Sequence, residues 1–436
     1  MGNGYAGYKA LPRSVHLAVL EGISVLRPTD PPGRDGRPNR WSALLICSTA
    51  YFLVCFHKVT PAVMVDELMA EFGGSPAIIG ILSSVYFYSY MVMQIPIGFM
   101  ADRMNPMRMV GYGTILAGLG SVLFGFSRDF TNAMLARALT GIGVSGVLVP
   151  SCKVLGLAFG DRFMMANGAL MAIGSLGSIV AASPLAMLIE AFGWRSAFFL
   201  AAGLSAAAGL VCFVPMPGRE NGRECEPREA ADVPSLLRLV PSALLPAFIS
   251  FFKYGPFVAY QGLWGVPFLM GVHGVGKVEA GEVMVLLSVS TVIACMGVGV
   301  LTGRLKLKPR TIDIAAASLF ASSWIPMLLP ASAGALALLY ASACVMGGAD
   351  IMILLMTNDY IRQRVDPGAR GTVMGIVSTM TFAGGAIFQT VMGLFVDGTA
   401  RGYRNAFILC LVSALTSLVL VMVYTKDRKA ADVLPV

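Results

Sequence analysis

The chain has 436 residues and a formal net charge of +8, with 56% hydrophobic and only 13% charged residues and a mean hydropathy of +0.74. A soluble domain carries about 45–50% apolar and about 25% charged residues, so this composition leaves too little polar surface for water and places the chain in a bilayer. The basic residues sit in short, separated loops rather than in a patch, which excludes nucleic acid as a partner, and no phosphate-gripping G-x-x-x-x-G-K-[ST] loop supports an enzyme.

Residues 1–40 read as a polar cytoplasmic extension with six Lys/Arg. Within it Ser14–Leu26 is weakly amphipathic, and His16 and Glu21 interrupt any signal-peptide core. From Trp41 onward twelve apolar runs are long enough to span about 30 Å of hydrocarbon. Their limits are 41–64, 76–100, 107–126, 131–157, 163–190, 195–215, 243–269, 280–303, 310–330, 333–357, 371–396 and 404–424. The predicted fold is therefore an all-α membrane protein with twelve transmembrane helices. A polar stretch at 216–241 splits them into two six-helix bundles, 41–215 and 242–425, and a tail follows at 426–436. With the N-terminus cytoplasmic, inside segments hold 23 Lys/Arg and outside loops 5, so both termini are expected inside.

The second and third runs are joined by a tight basic turn, Gly98-Phe-Met-Ala-Asp102-Arg103-Met-Asn105-Pro106-Met-Arg108. A partial copy, Gly299-Val-Leu-Thr-Gly303-Arg304, lies 201 residues downstream, with glycine where Asp102 stands. Gly193-Trp-Arg195-Ser-Ala-Phe198 returns as Gly402-Tyr-Arg404-Asn-Ala-Phe407, and Gly168-Ala-Leu-Met171 returns as Gly371-Thr-Val-Met374. Matched landmarks in matched order argue for a parallel duplication whose halves face each other across a central cavity.

These residues resemble the major facilitator superfamily over about 40–425. The Gly98–Arg108 turn is similar to that family's loop between helices 2 and 3, and Arg137-x-x-x-Gly141 is similar to its arginine motif. The Gly174/Gly177…Pro184 pattern resembles its antiporter motif but lacks the Gly-Pro pair. The resemblance implies gating roles for Gly98, Asp102, Arg103, Arg108 and Arg304, with Asp102 capping span 11 in the outward-facing state. An acid at a helix N-terminus is stabilised by the dipole. At a finer level, Tyr51…Lys58 and Lys253-Tyr-Gly255 resemble an organophosphate:phosphate antiporter branch. Tyr86-Phe-Tyr-Ser-Tyr90…Gln94-Ile-Pro96 resembles a bacterial branch related to lysosomal dipeptide carriers.

Charges inside spans are costly and default to functional candidates. Lys58 and Lys253 lie in the first helix of each half, and two cations facing one cavity suit a carboxylate or phosphate. Tyr86, Tyr90 and Gln94 share one face of span 2, with Ser83. Gln261 and Trp264, before the kinking Pro267, offer further lining in span 7, and Arg137 either lines the cavity or locks helix packing. Asp350 either pairs with Lys253 or Arg137 or carries a coupling proton, and His57 is the second proton candidate. Lys58, Lys253 and Lys153 have snorkelling to the interface as their alternative. Eight cysteines and three histidines form no metal-ligand spacing, so no cofactor or metal is expected.

The expected function is secondary active transport of a small organic anion by alternating access, coupled to protons, by a monomer in a bacterial inner membrane. Export of amphipathic drugs or metabolites is the alternative, and a ligand-binding receptor that moves nothing is the third reading.

Overall fold

The computed structural model describes residues 40–214, 233–303, 308–365 and 370–431. The extension up to residue 39, Arg304 and most of the 216–241 stretch lie outside the described residues. Among the described residues twelve helices are long and apolar enough to cross a membrane: Arg40–Val63, Pro76–Gln94, Pro106–Phe126, Phe130–Phe159, Met165–Phe192, Trp194–Val211, Ala243–His273, Lys277–Cys295, Arg310–Leu328, Gly334–Asn358, Val373–Phe395 and Ala400–Val423. They are numbered spans 1 to 12. Each overlaps a run read from hydropathy, so the all-α membrane class holds.

Local chemistry starts and stops these helices. Asn105 accepts from the backbone N–H groups of Met107 and Arg108 at 3.1 and 3.2 Å, and Pro106 opens span 3. Asp129 caps span 4 through the Asn132 N–H at 2.9 Å, and Ser332 caps span 10 through the Ala335 N–H at 3.0 Å. Span 5 is broken between Val180 and Ser183, where Pro184 opens its second piece.

Three stretches depart from the sequence reading. A short helix, Val65–Phe72, fills what reads as the loop between spans 1 and 2. Asp66 and Glu67 stand in its first turn, where the dipole favours acids, and Gly73 ends it at φ 59°. The helix of span 7 begins at Val233, well before the apolar run. Its irregularity is a π-helical turn at Tyr260–Trp264, just ahead of Pro267, which removes the N–H that an α-helix would aim at Leu263.

The pairing of helices repeats between the halves. Spans 1–5, 2–4, 3–4, 3–6 and 1–6 pack together, and so do their counterparts 7–11, 8–10, 9–10, 9–12 and 7–12. Across the middle, span 2 packs on span 11 and span 5 on span 8, which are equivalent contacts under the same duplication. Glycine makes the tightest of these contacts: a Cβ at Gly177 would stand 2.1 Å from the Phe52 carbonyl, and one at Gly347 would stand 2.0 Å from that of Leu287.

The two ends of the bundle differ. At the end carrying the span 1–2 connection (the Glu67 end) the halves touch. Lys277 of span 8 pairs with Glu67, and Ser84 of span 2 hydrogen-bonds Thr390 of span 11 at 2.7 Å. A Cβ at Gly281 would meet the Ser183 backbone at 2.8 Å, where the break in span 5 sits. At the opposite end (the Arg103 end) the same helices part. Gly98, Gly168 and Gly375, in spans 2, 5 and 11, have nothing within 4 Å of where a Cβ would stand. Gly168 lies seven residues before Ser175 and Gly375 seven before Phe382, so each shares a helix face with a residue at the half-to-half interface.

Candidate functional site

Between the halves, midway along the bundle, lies a cavity of about 110 Å³. Span 1 supplies Tyr51, Cys55 and Lys58, which recur at i, i+4 and i+7 and so share one helix face. Span 7 supplies Tyr254, Phe257 and Gln261 at i, i+3 and i+7, facing them from the other half. Span 5 adds Ser175 and Ser178, span 8 adds Ser288 and Thr291, and span 10 adds Asp350.

The two lysines have different surroundings. Lys58 is half-buried on the cavity wall, its Nζ 6.0 Å from the centre of the Tyr254 ring. Among the described residues it belongs to no ion pair. Lys253 is 1% exposed and lies behind the wall. Its Nζ sits 2.8 Å from Asp350 Oδ1 and donates to the Asp350 carbonyl at 2.9 Å. Neighbouring residues in a helix point about 100° apart, so in span 7 it is Tyr254 that faces the cavity while Lys253 turns to span 10. Two free cations on opposite walls are thus not what the geometry presents.

His57 and Arg137 lie inside the first half. His57 is buried, with Nε2 3.1 Å from the Ser205 hydroxyl and Nδ1 3.3 Å from that of Ser121, facing spans 6 and 3. Arg137 donates from Nη1 to the His57 carbonyl at 3.3 Å, and its guanidinium lies 5.0 Å from the Tyr86 ring centre. Gly141 makes this possible, since a Cβ there would meet the Tyr86 carbonyl at 2.4 Å. Neither His57 nor Arg137 lines the cavity.

The span 2 stripe divides between the halves. Tyr86 donates to the Val54 carbonyl at 3.2 Å. Tyr90 stacks on Phe382 of span 11 with ring centres 3.9 Å apart. Gln94, one turn further, is buried, and its Nε2 has no hydrogen-bond partner among the described residues. Trp264 is fully buried towards the Glu67 end, where its Nε1 donates to the Gln389 carbonyl at 3.1 Å and its ring lies against Gly80 and Gly393. Of the turn residues, Arg103 and Arg108 are exposed, and Asp102 lies on the last turn of the helix ending at Arg103. Lys153 donates to the Ala101 carbonyl at 2.5 Å, a cation at the C-terminal end of that same helix.

Sequence reasoning passed over Tyr51 and Tyr254. The signal was present in the i, i+4, i+7 spacing from Tyr51 to Lys58 and in the step from Tyr254 to Gln261. Among the described residues no cluster of His, Cys, Asp and Glu could hold a metal ion.

The Major Facilitator Superfamily model matches residues 47–389. Curated relatives match in part. Sodium-dependent phosphate transport protein 1, chloroplastic, of Arabidopsis thaliana is 29% identical over 37% of this chain and 32% of its own length. Probable anion transporter 4, chloroplastic, of Oryza sativa subsp. japonica is 31% identical over 37% of this chain and 28% of its own. Monocarboxylate transporter 3 of Rattus norvegicus is 31% identical over 45% and 41%. The chain thus spans about a third of the length of the first two. Among solved structures, a bacterial homolog of the human lysosomal transporter Spinster, inward-facing and unoccupied, aligns with TM-score 0.70 at 17% identity, covering 91% of this chain and 99% of that one. The nucleoside transporter NupG aligns with TM-score 0.71 at 16% identity, covering 89% and 99%. At those identities the likeness is one of fold.

Proposed function

The chain belongs to the major facilitator superfamily, a family of membrane transporters rather than enzymes, and on that premise we propose that it is a secondary carrier of a small organic anion. The observation that carries the reading is Lys58, an ammonium on the wall of a cavity between the halves with no acid paired to it among the described residues. In low dielectric an unpaired cation gains much from an anionic partner, and a solute bound there touches both halves at once. The curated relatives named for phosphate, anions and monocarboxylate support the anionic class.

The asymmetry of the two ends supports alternating access. With the Arg103 turn on the cytoplasmic side, as the positive-inside bias places it, the arrangement is inward-open. Closing the parted helices over Gly98, Gly168 and Gly375 while releasing the Glu67 end would turn the cavity outward. Proton coupling is assigned to Asp350, the carboxylate on the cavity wall.

Proteoliposome uptake tests the reading. An organic anion should accumulate down an imposed proton gradient, and Lys58→Ala should lower uptake at least tenfold, about 1.4 kcal/mol. Uptake by Lys58→Ala at the wild-type rate would remove the site.

A further inference from the structure

Resting on the anion-carrier reading, we infer that Asp350 sets the valence of the cargo: by holding the Lys253 ammonium it leaves the cavity wall one positive charge, that of Lys58, and so selects a small monovalent carboxylate over a divalent anion. The pair at 2.8 Å is charge-neutral, and Lys253 itself does not reach the cavity. Arg137 acts only from deeper in the first half.

The polar wall across from Lys58 points to the rest of the cargo. Three of its hydroxyl protons are committed to helix carbonyls. Ser175 donates to Met171 at 3.1 Å, Ser288 to Met284 at 3.0 Å and Thr291 to Leu287 at 3.0 Å. Because the Ser288 proton is spoken for, its oxygen accepts from Gln261 Nε2 at 3.1 Å, and Gln261 Oε1 is left buried without a partner. The three hydroxyls and Gln261 Oε1 therefore offer lone pairs to the cavity. A second carboxylate would face acceptors and no cation there, whereas an amide or hydroxyl would donate to them. The cargo is thus a short acid with one charge at the Lys58 end and a hydrogen-bond donor at the other. A volume of about 110 Å³ holds a solute of roughly four waters.

Succinamate and succinate separate these features, because they match in size and differ by one charge and one amide. Binding to the purified full-length protein in nanodiscs, measured calorimetrically without any gradient, should favour succinamate by about tenfold or more. The preference should follow the wall charge. Asp350→Asn, which releases Lys253, should shift the ratio at least about tenfold towards succinate. Lys253→Met, which leaves Asp350 uncompensated, should weaken both acids, and Lys253→Met with Asp350→Leu should return the wild-type ratio. If Asp350→Asn does not fold, the other two variants still decide: succinamate binding unchanged in Lys253→Met, or a ratio altered in the double variant, overturns the inference. Equal or tighter binding of succinate by the wild type overturns it and leaves the anion reading standing. Binding of neither acid overturns both.

Discussion

Glu67 and Lys277 form an ion pair that ties the short helix after span 1 to the first turn of span 8, and so joins the halves at the Glu67 end. Their side chains are 28% and 14% exposed, which limits such a pair to about 1 kcal/mol or less. Lys277→Met should therefore shift the balance towards opening of that end by no more than about fivefold. Labelling of a cysteine placed at Ser183, under the contact with Gly281, reads the change as a faster rate.

Asp66, beside that pair, makes the same end pH-sensitive. Asp66 is exposed, yet partial desolvation, aided by the Glu67 carboxylate and opposed by Lys277, holds its carboxyl above the ordinary 3.8. A raised carboxyl means that the closed end takes up a proton more readily than a solvated Asp66 does. The closed arrangement is then favoured as pH falls towards 3.8 and loses this contribution as pH rises through the raised value. Labelling at position 183 should slow on acidification in the wild type, and Asp66→Asn should remove the part of that response that comes from this group.

Gly98 and Gly347 should part company under one substitution. Gly347→Ala drives a methyl into the Leu287 carbonyl and the Ser290 hydroxyl, forcing spans 8 and 10 apart, so a loss of folded protein in size-exclusion profiles is expected. Gly98→Ala meets nothing in this arrangement, and folded yield should match wild type. If spans 2 and 11 close over Gly98 in the outward-facing state, uptake by that variant should fall severalfold at normal yield.

His57→Gln should leave the pH profile of uptake unchanged while lowering thermal stability. The imidazole is held by two hydroxyls within the first half, so the loss expected is about 1–3 kcal/mol of packing and hydrogen bonding. A displaced pH profile would return His57 to the proton pathway.

Arg137→Lys should cost stability although charge is conserved. The guanidinium serves the His57 carbonyl and the Tyr86 face together, which a single ammonium does not reproduce. A drop in the midpoint of thermal unfolding, measured with cargo absent, checks this.

The twelve spans, the duplication and the charged hairpin were legible because each is a property of chain-length patterns: hydropathy over about 20 residues, or recurrence at a fixed offset. The site was legible one residue at a time. Lys58 and Asp350 were singled out as buried charges, and the pairing of Asp350 with Lys253 was one of the alternatives the sequence left open. Helix phase was what remained hidden. In Phe252-Lys-Tyr-Gly255 both Lys253 and Tyr254 are plausible lining, and about 100° of rotation decides between them. That rotation is set by span 10 and by the contact of Gly255 with Gly384 in span 11, partners about a hundred residues or more away. The same holds for His57 and Lys58, adjacent in sequence yet turned to different surroundings.

The wide turn at Tyr260–Trp264 makes the residue count of span 7 as consequential as its composition. One extra residue in that loop of helix rotates everything beyond it by about 100° relative to a regular continuation. It is this phase that lets Gln261 face the cavity while Trp264, three positions on, seals the far end against Gly80 and Gly393. Deletion of Gly262 would keep every side chain and swing the indole off the Gln389 carbonyl, severing what the cavity holds from the plug above it.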